Sequence, residues 1–198
     1  MKTIALALTG ASGMPYGLRL LECLLGAGCR VQLVYTQAAQ IVARQEMDLA
    51  LAGTQETAAL LRARFAAPEG RLEVYGREEW FAPIASGTNP PDAMVVCPCT
   101  MGTLAAIAAG LSSNLIERAA DVCLKEGRKL VLVPREAPLS ALHLENMLRL
   151  ARLGAVILPP SPGFYHHPQS VQDLVDFIVA RILDQLGVEH ALMTRWGQ

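Results

Sequence analysis

The run Thr3-Ile4-Ala5-Leu6-Ala7-Leu8 is apolar without alternation and leads straight into Thr9-Gly10-Ala11-Ser12-Gly13-Met14-Pro15-Tyr16-Gly17, a stretch of small residues that opens a helix. A strand that is apolar throughout must be covered on both faces, so this order predicts an open parallel sheet with helices on either side. Gly10 and Gly13 lack a Cβ, so backbone N–H groups there can approach an anion, and the following helix adds the positive end of its dipole. A phosphate cradle is one reading and tight strand–helix packing is the other. The spacing is not the dinucleotide fingerprint, because G-x-G-x-x-G needs glycine at position 12, where this chain has Ser12.

The next segments extend the same pattern. Helix one runs from Tyr16 to Leu25 and is closed by Gly26 and Gly28, and Val31 to Tyr35 supplies the second strand of a right-handed βαβ unit. That strand ends at Thr36 and not at the acidic residue that holds the ribose of NAD, which argues against a dinucleotide. Thr36 either offers a hydroxyl to a phosphate or sugar alcohol, or caps the helix from Ala38 to Arg44. Thr54 caps a helix from Glu56 to Ala66 whose apolar face is Leu60, Leu61 and Phe65. Leu72 to Tyr75 is a short strand, and the irregular segment Trp80 to Gly87 either lines a ligand site or packs against the sheet edge.

Met94 to Val96 is the third core strand, with Cys97-Pro98-Cys99-Thr100 at its carboxyl end, where open α/β sheets bind ligands. One cysteine pair falls short of four tetrahedral ligands, so no metal is expected. A small-residue helix spans Gly102 to Ala109. Asn114 begins the helix Leu115 to Lys125, on which Arg118 and Lys125 share a face with Asp121 between them, as a local ion network or as cations aimed at a phosphate. Lys129 to Val133 runs into Pro134-Arg135-Glu136-Ala137-Pro138, and an Arg-Glu pair held between prolines at a strand end is better explained by a site than by solvation. After a helix from Ser140 to Leu153 and a strand from Ala155 to Leu158 comes a proline-rich loop. In it Tyr165 offers a hydroxyl, while adjacent His166 and His167 point apart and make a poor metal pair. The last helix runs from Val171 to Leu186.

With 198 residues and no linker or shift of composition, the chain reads as one domain, 1–198. A net charge of −1 without a basic cluster leaves no electrostatic case for nucleic acid or an anionic membrane. Five cysteines, an odd number in a chain without a charged leader, read as reduced thiols of a cytosolic protein. The uncharged stretch Ala93 to Ile116 is broken by Pro98, Gly102, Gly110 and Ser112-Ser113-Asn114, so it reads as strand, turn and helix and not as a membrane span. A hydrophobic content of 52% exceeds what a monomer of this size needs, which points to helix faces buried between subunits. The tail 187–198, through Trp196, is either frayed or docked on a neighbouring subunit.

Five motifs in register, Thr9-Gly10-Ala11-Ser12-Gly13, Cys97-Pro98-Cys99-Thr100, Asn114-Leu115-Ile116-Glu117-Arg118-Ala119, Val133-Pro134-Arg135-Glu136-Ala137-Pro138 and Pro162-Gly163-Phe164-Tyr165-His166, resemble the flavin prenyltransferase family of UbiX type. The resemblance implies a Rossmann-like or flavodoxin-like fold, a dodecamer built of trimers, and FMN bound where subunits meet, without metal. It implies transfer of a dimethylallyl group from dimethylallyl monophosphate to N5 and then C6 of reduced FMN. The prenylated FMN serves UbiD-type decarboxylases, in ubiquinone biosynthesis or aromatic acid decarboxylation. Position by position, Gly10, Ala11, Ser12, Thr36 and Arg118 match the FMN residues, and the Ser86 segment lies beside the ring. Lys125, Arg135, Tyr165 and Arg181 match the phosphate site, with Glu136 as acid or proton relay there. Glu46 and Ser12 stand near the reacting ring, and Trp80 is placed to shelter an allylic cation. Two further readings share the FMN loop. A cysteine-type decarboxylase lacks its Pro-x-Met-Asn motif here, since Leu144-Glu145-Asn146-Met147 has neither the proline nor the order. A non-catalytic flavin carrier has no need of Glu46, Arg135, Glu136 and Tyr165 together.

Overall fold

Ile4, Leu6 and Leu8 of β1 (Thr3–Leu8) enter one hydrophobic core and Ala5 and Ala7 enter a second on the opposite face, as a strand covered on both sides requires. The computed structural model describes residues 1–194 and 197. The other strands are β2 (Arg30–Tyr35), β3 (Leu72–Tyr75), β4 (Ala93–Cys99), β5 (Lys129–Pro134) and β6 (Val156–Ile157). All pair in parallel in the order β3-β2-β1-β4-β5-β6. The helices are α1 (Met14–Gly26), α2 (Gln37–Met47), α3 (Thr54–Arg64), α4 (Met101–Ala108), α5 (Leu115–Lys125), α6 (Ala141–Arg152) and α7 (Val171–Leu186). Leu20, Leu21 and Leu24 of α1 and Ile178, Ile182 and Leu183 of α7 fill the larger core. Leu104 of α4, Ile116 and Ala119 of α5 and Leu150 of α6 fill the other. The result is a three-layer α/β/α domain whose strand order reverses between β1 and β4, and ligands of such sheets bind outside the carboxyl ends at that point.

Several boundaries differ from those read in the sequence, each for a local reason. α1 starts at Met14, because Pro15 in a first turn needs no N–H partner. Thr54 is the first residue of α3 and Gly53 takes the cap position. The inward face of α3 is Thr57, Ala58 and Leu61, with Leu60 exposed, because the Thr57 hydroxyl meets the Tyr35 hydroxyl at 3.0 Å. β4 continues through Cys99, and its register shifts between Val96 and Cys99. After Gly187, a left-handed helix stop, Val188, Leu192 and Met193 pack on their own chain's larger core, and Trp196 lies outside the described residues. Among the described residues no helix is long and apolar enough to cross a membrane.

Helix and sheet approach closely at Gly17, where a Cβ would stand 2.4 Å from the Cys97 carbonyl oxygen and 2.6 Å from Leu8 Cδ2. Both neighbours are fixed parts of the core, so the contact cannot relax cheaply. Gly17→Ala is therefore expected to lower stability by about 1–3 kcal/mol. Urea unfolding checks it, as a lower midpoint at unchanged slope.

Candidate active site

The carboxyl ends of β1 and β4 are joined by one buried side chain. Thr9, fully buried, donates its hydroxyl to the Pro98 carbonyl (2.7 Å) and accepts the Thr100 backbone N–H (2.8 Å). From this joint the chain leaves in two directions, as the Gly10–Gly13 loop into α1 and as Thr100 into α4. Thr100 caps α4, its hydroxyl accepting the Thr103 N–H (3.1 Å) and bonding the Thr103 hydroxyl (2.9 Å). The amino ends of α1 and α4 thus flank the reversal point, with their first N–H groups and positive dipole ends on the crevice side. The sequence showed Thr9 and Thr100 only as members of motifs, without a role for either, and did not single out Thr103. The Ser/Thr-x-x-Thr cap was visible, but its pairing with Thr9 spans 91 positions.

Gly10 lies against α2, since a Cβ there would fall 2.4 Å from Ala38 Cβ. Thr36 caps α2 by accepting the Ala39 N–H (3.0 Å), and its own N–H donates to the Leu8 carbonyl (3.0 Å). Capping therefore engages the Thr36 hydroxyl, while Ala11 is buried beside it and Ser12 stands exposed. Glu46, at the far end of α2, reaches back to α1: its carboxylate accepts the N–H of Gly13 (3.0 Å) and of Met14 (2.8 Å). Gly13 adopts φ 123°, a conformation open to glycine, and presents those N–H groups together. A protein carboxylate thus sits on the α1 amino terminus, where the glycine loop alone suggested a phosphate.

Cys97 and Cys99 are fully buried and, because of the register shift between them, enter opposite cores, so they cannot ligate one ion. Burial pushes the Cys97 thiol far up, with Cys99 adding to it, and pushes Cys99 up to about 12, so both are neutral thiols at physiological pH. Among the described residues no cluster of three or more His, Cys, Asp or Glu side chains is placed to hold a metal ion.

On the other side of β4, the Arg135 N–H donates to the Cys99 carbonyl (3.3 Å), which sets Arg135 and Glu136, both exposed, at the edge of the crevice. Arg118, one turn into α5, donates Nε to the Ala85 carbonyl (2.9 Å) and pairs with Asp121 (2.9 Å), so it and Ser86 share one corner. Tyr165 packs edge-on against His166 and Phe177 in the loop before α7. Trp80, half exposed, lies in the turn after β3.

Two predicted site residues are elsewhere. Lys125 ends α5 about 15 Å from its Asn114 cap. It pairs with Glu126 and lies against Gly87, next to Ser86, about two turns along α5 from Arg118. Arg181 lies about 15 Å along α7 from Val171 and pairs with Asp184 (2.8 Å). One chain therefore brings together Gly10, Ala11, Ser12, Thr36 and Glu46, with Arg135 and Glu136 across the β4 end, but neither Lys125 nor Arg181.

Comparison with known proteins supplies the context for this crevice. The sequence model of the Flavoprotein family matches residues 1–183. The chain is similar to the flavin prenyltransferase UbiX of Pseudomonas aeruginosa, with 58% identity over 98% of this chain and 94% of that protein. The fold is similar to the crystal structure of AnUbiX (PadA1) in complex with FMN and dimethylallyl pyrophosphate, with TM-score 0.89 and 40% identity over 100% and 98% of the two chains. It is also similar to a dodecameric FMN-dependent UbiX-like decarboxylase from Escherichia coli O157:H7, with TM-score 0.86 and 43% identity over 99% and 100%.

Two outcomes follow from the geometry. Alkylation at pH 8 with peptide mapping should leave Cys97, Cys99 and Cys123 unlabelled until the protein is unfolded, because burial holds Cys99 and Cys123 near 12 and Cys97 higher still. Label on native Cys99 would contradict this. Glu46→Ala leaves the Gly13 and Met14 N–H groups without their acceptor and is expected to cost about 1 kcal/mol in urea unfolding, with Glu46→Gln costing less because one acceptor oxygen remains.

Proposed function

Because this chain belongs to the Flavoprotein family and, within it, to the flavin prenyltransferases of UbiX type, we propose that it moves a dimethylallyl group from dimethylallyl monophosphate to N5 and then C6 of reduced FMN. The observation that carries the reading is the convergence of Gly10, Ala11, Ser12 and Thr36 with the Glu46 carboxylate on one side of the β1–β4 crevice and of Arg135 and Glu136 on the other. The donors there are backbone N–H groups, hydroxyls and a guanidinium, a set that suits the phosphate and alcohols of FMN. Reduced FMN, when bound, supplies the nucleophilic ring atoms.

The chain's own residues then have defined tasks. Gly10, Ala11, Ser12, Thr36 and Arg118 hold the cofactor, and Ser86 lies along its ring. As the C–O bond of the allyl phosphate breaks, the electron pair leaves with the phosphate. Arg135, Lys125, Arg181 and the Tyr165 hydroxyl meet that growing charge. Glu136 holds a proton at the phosphate, Glu46 and Ser12 steer proton removal at the ring, and the Trp80 face shelters the allylic cation. Protein cations in this role make a metal unnecessary.

Lys125 and Arg181 stand toward the distal ends of α5 and α7, which supports a phosphate site completed by other copies. Exposed Leu142, Leu148 and Leu153 along α6 and Leu111 beside it supply an apolar surface for such contacts, and a homododecamer is the assembly we propose. The enzyme works in the cytoplasm, and a UbiD-type decarboxylase receives the product.

Anaerobic incubation with reduced FMN and dimethylallyl phosphate, without added metal, should return a flavin heavier by one five-carbon unit. FMN returned unmodified with both the mono- and the diphosphate would overturn the reading. Glu136→Gln is expected to keep FMN binding and lose about 100-fold or more in turnover, whereas a flavin carrier would be unaffected.

A further inference from the structure

Arg181 is one residue of an arrangement that reaches into the tail. Its Nη1 donates to Asp184 Oδ2 at 2.8 Å, one turn further along α7. Taken alone this is an ordinary i,i+3 surface pair of little consequence. The other carboxylate oxygen is occupied, however. His190 Nε2 stands 3.3 Å from Asp184 Oδ1, with the histidine side chain only 7% exposed against 50% for Arg181. The Leu192 backbone N–H points at His190 Nδ1 (3.4 Å), which leaves the ring proton on Nε2 to be donated to Asp184. The chain reverses at Gly187, in the left-handed conformation, and Val188 and Leu192 are packed into or against the main core. The histidine is therefore held from the folded body, and the order of action runs from core to tail, to His190, to Asp184, to the guanidinium. With both oxygens engaged the carboxylate plane is fixed, and an arginine in contact with a fixed carboxylate is confined to few rotamers.

We propose that Asp184 and His190 are positioning residues for Arg181, presetting its guanidinium for the phosphate of the allyl donor. The inference rests on the reading above that Arg181 binds that phosphate. Neither residue touches the substrate. Their effect is to lower the ordering cost of a long, half-exposed side chain before the phosphate arrives.

The test uses the assembled enzyme, anaerobic turnover with reduced FMN and varied dimethylallyl phosphate, and a separate FMN titration. His190→Ala and Asp184→Asn are each expected to lower kcat/KM for the allyl phosphate about five- to tenfold, with the FMN Kd unchanged. His190→Gln, which retains an N–H donor, should recover to within about twofold of the parent, while His190→Phe, which fills the space without a donor, should not. In an Arg181→Ala background, His190→Ala should add nothing, because the residue it orients is gone. Equal effects of Gln and Phe at position 190, or full additivity with Arg181→Ala, would overturn the proposal by reducing His190 to packing. If Arg181→Ala lowers kcat/KM and His190→Ala does not, this inference alone fails. If Arg181→Ala has no effect on the allyl phosphate, the assignment of Arg181 to the phosphate fails and takes the inference with it.

Discussion

The arrangement depends on how β1 and β4 are held at the point where the sheet reverses direction. Two backbones that part there expose carbonyl and N–H groups inside a dry layer, and an unmade bond in such a place costs about 1–3 kcal/mol. Thr9 meets both needs with one hydroxyl, giving its proton to Pro98 and taking that of Thr100. Gly17 allows α1 to lie on the Cys97 carbonyl, and the shifted register at Val96–Cys99 lets both cysteines leave the sheet in different directions as filler. The β1 loop, the α4 cap and the Arg135 backbone all branch from that joint.

Electrostatics then divides the crevice. The positive end of α1 is already matched by Glu46, whose carboxylate is bonded to the first N–H groups of the helix. A helix end compensated in this way has little left for a dianionic phosphate. The equivalent end of α4 has Thr100 and Thr103 but no protein anion bonded to it among the described residues. Under the proposed function the α1 end holds the Glu46 carboxylate in place near the ring, while Gly10, Ala11, Ser12, Thr36 and Arg118 hold the cofactor. The glycine loop is then required for close packing against Ala38 and for the Gly13 turn, which joins the two readings that the sequence left side by side.

How much of this was legible in the sequence follows from the range of the interactions involved. Elements set by local signals were placed well: β1 by its apolar run, α5 from Asn114 onward by a cap whose side chain accepts the Ile116 and Glu117 N–H groups, and α7 by its period. The Arg135-Glu136 pair was correctly read as lying at a strand end. Boundaries and faces decided by distant partners were not legible. α3 turns Thr57 inward because Tyr35 is 22 positions away, and Glu46 caps a helix more than 30 positions earlier. Spacing along a chain records neighbours at three and four residues, and it is silent on which carboxylate folds back onto which helix end.

The same geometry explains why residues of one proposed pocket stand at the two ends of one helix. In a parallel sheet each crossover helix starts at the carboxyl edge and finishes at the amino edge, so a cation at the end of α5 is carried away from the crevice by the length of the helix. Lys125 cannot be returned without breaking the crossover, and Arg181, on the body of α7, is similarly bound to its helix. Under the proposed function, a site that uses both together with Arg135 is built from more than one copy, each copy lending the distal end of its helices to a neighbour's crevice. Such lending requires that the lent side chain be already oriented on its own subunit, because the receiving crevice has no covalent hold over it. The clamp of Asp184 and His190 on Arg181 meets that requirement from within the lending chain.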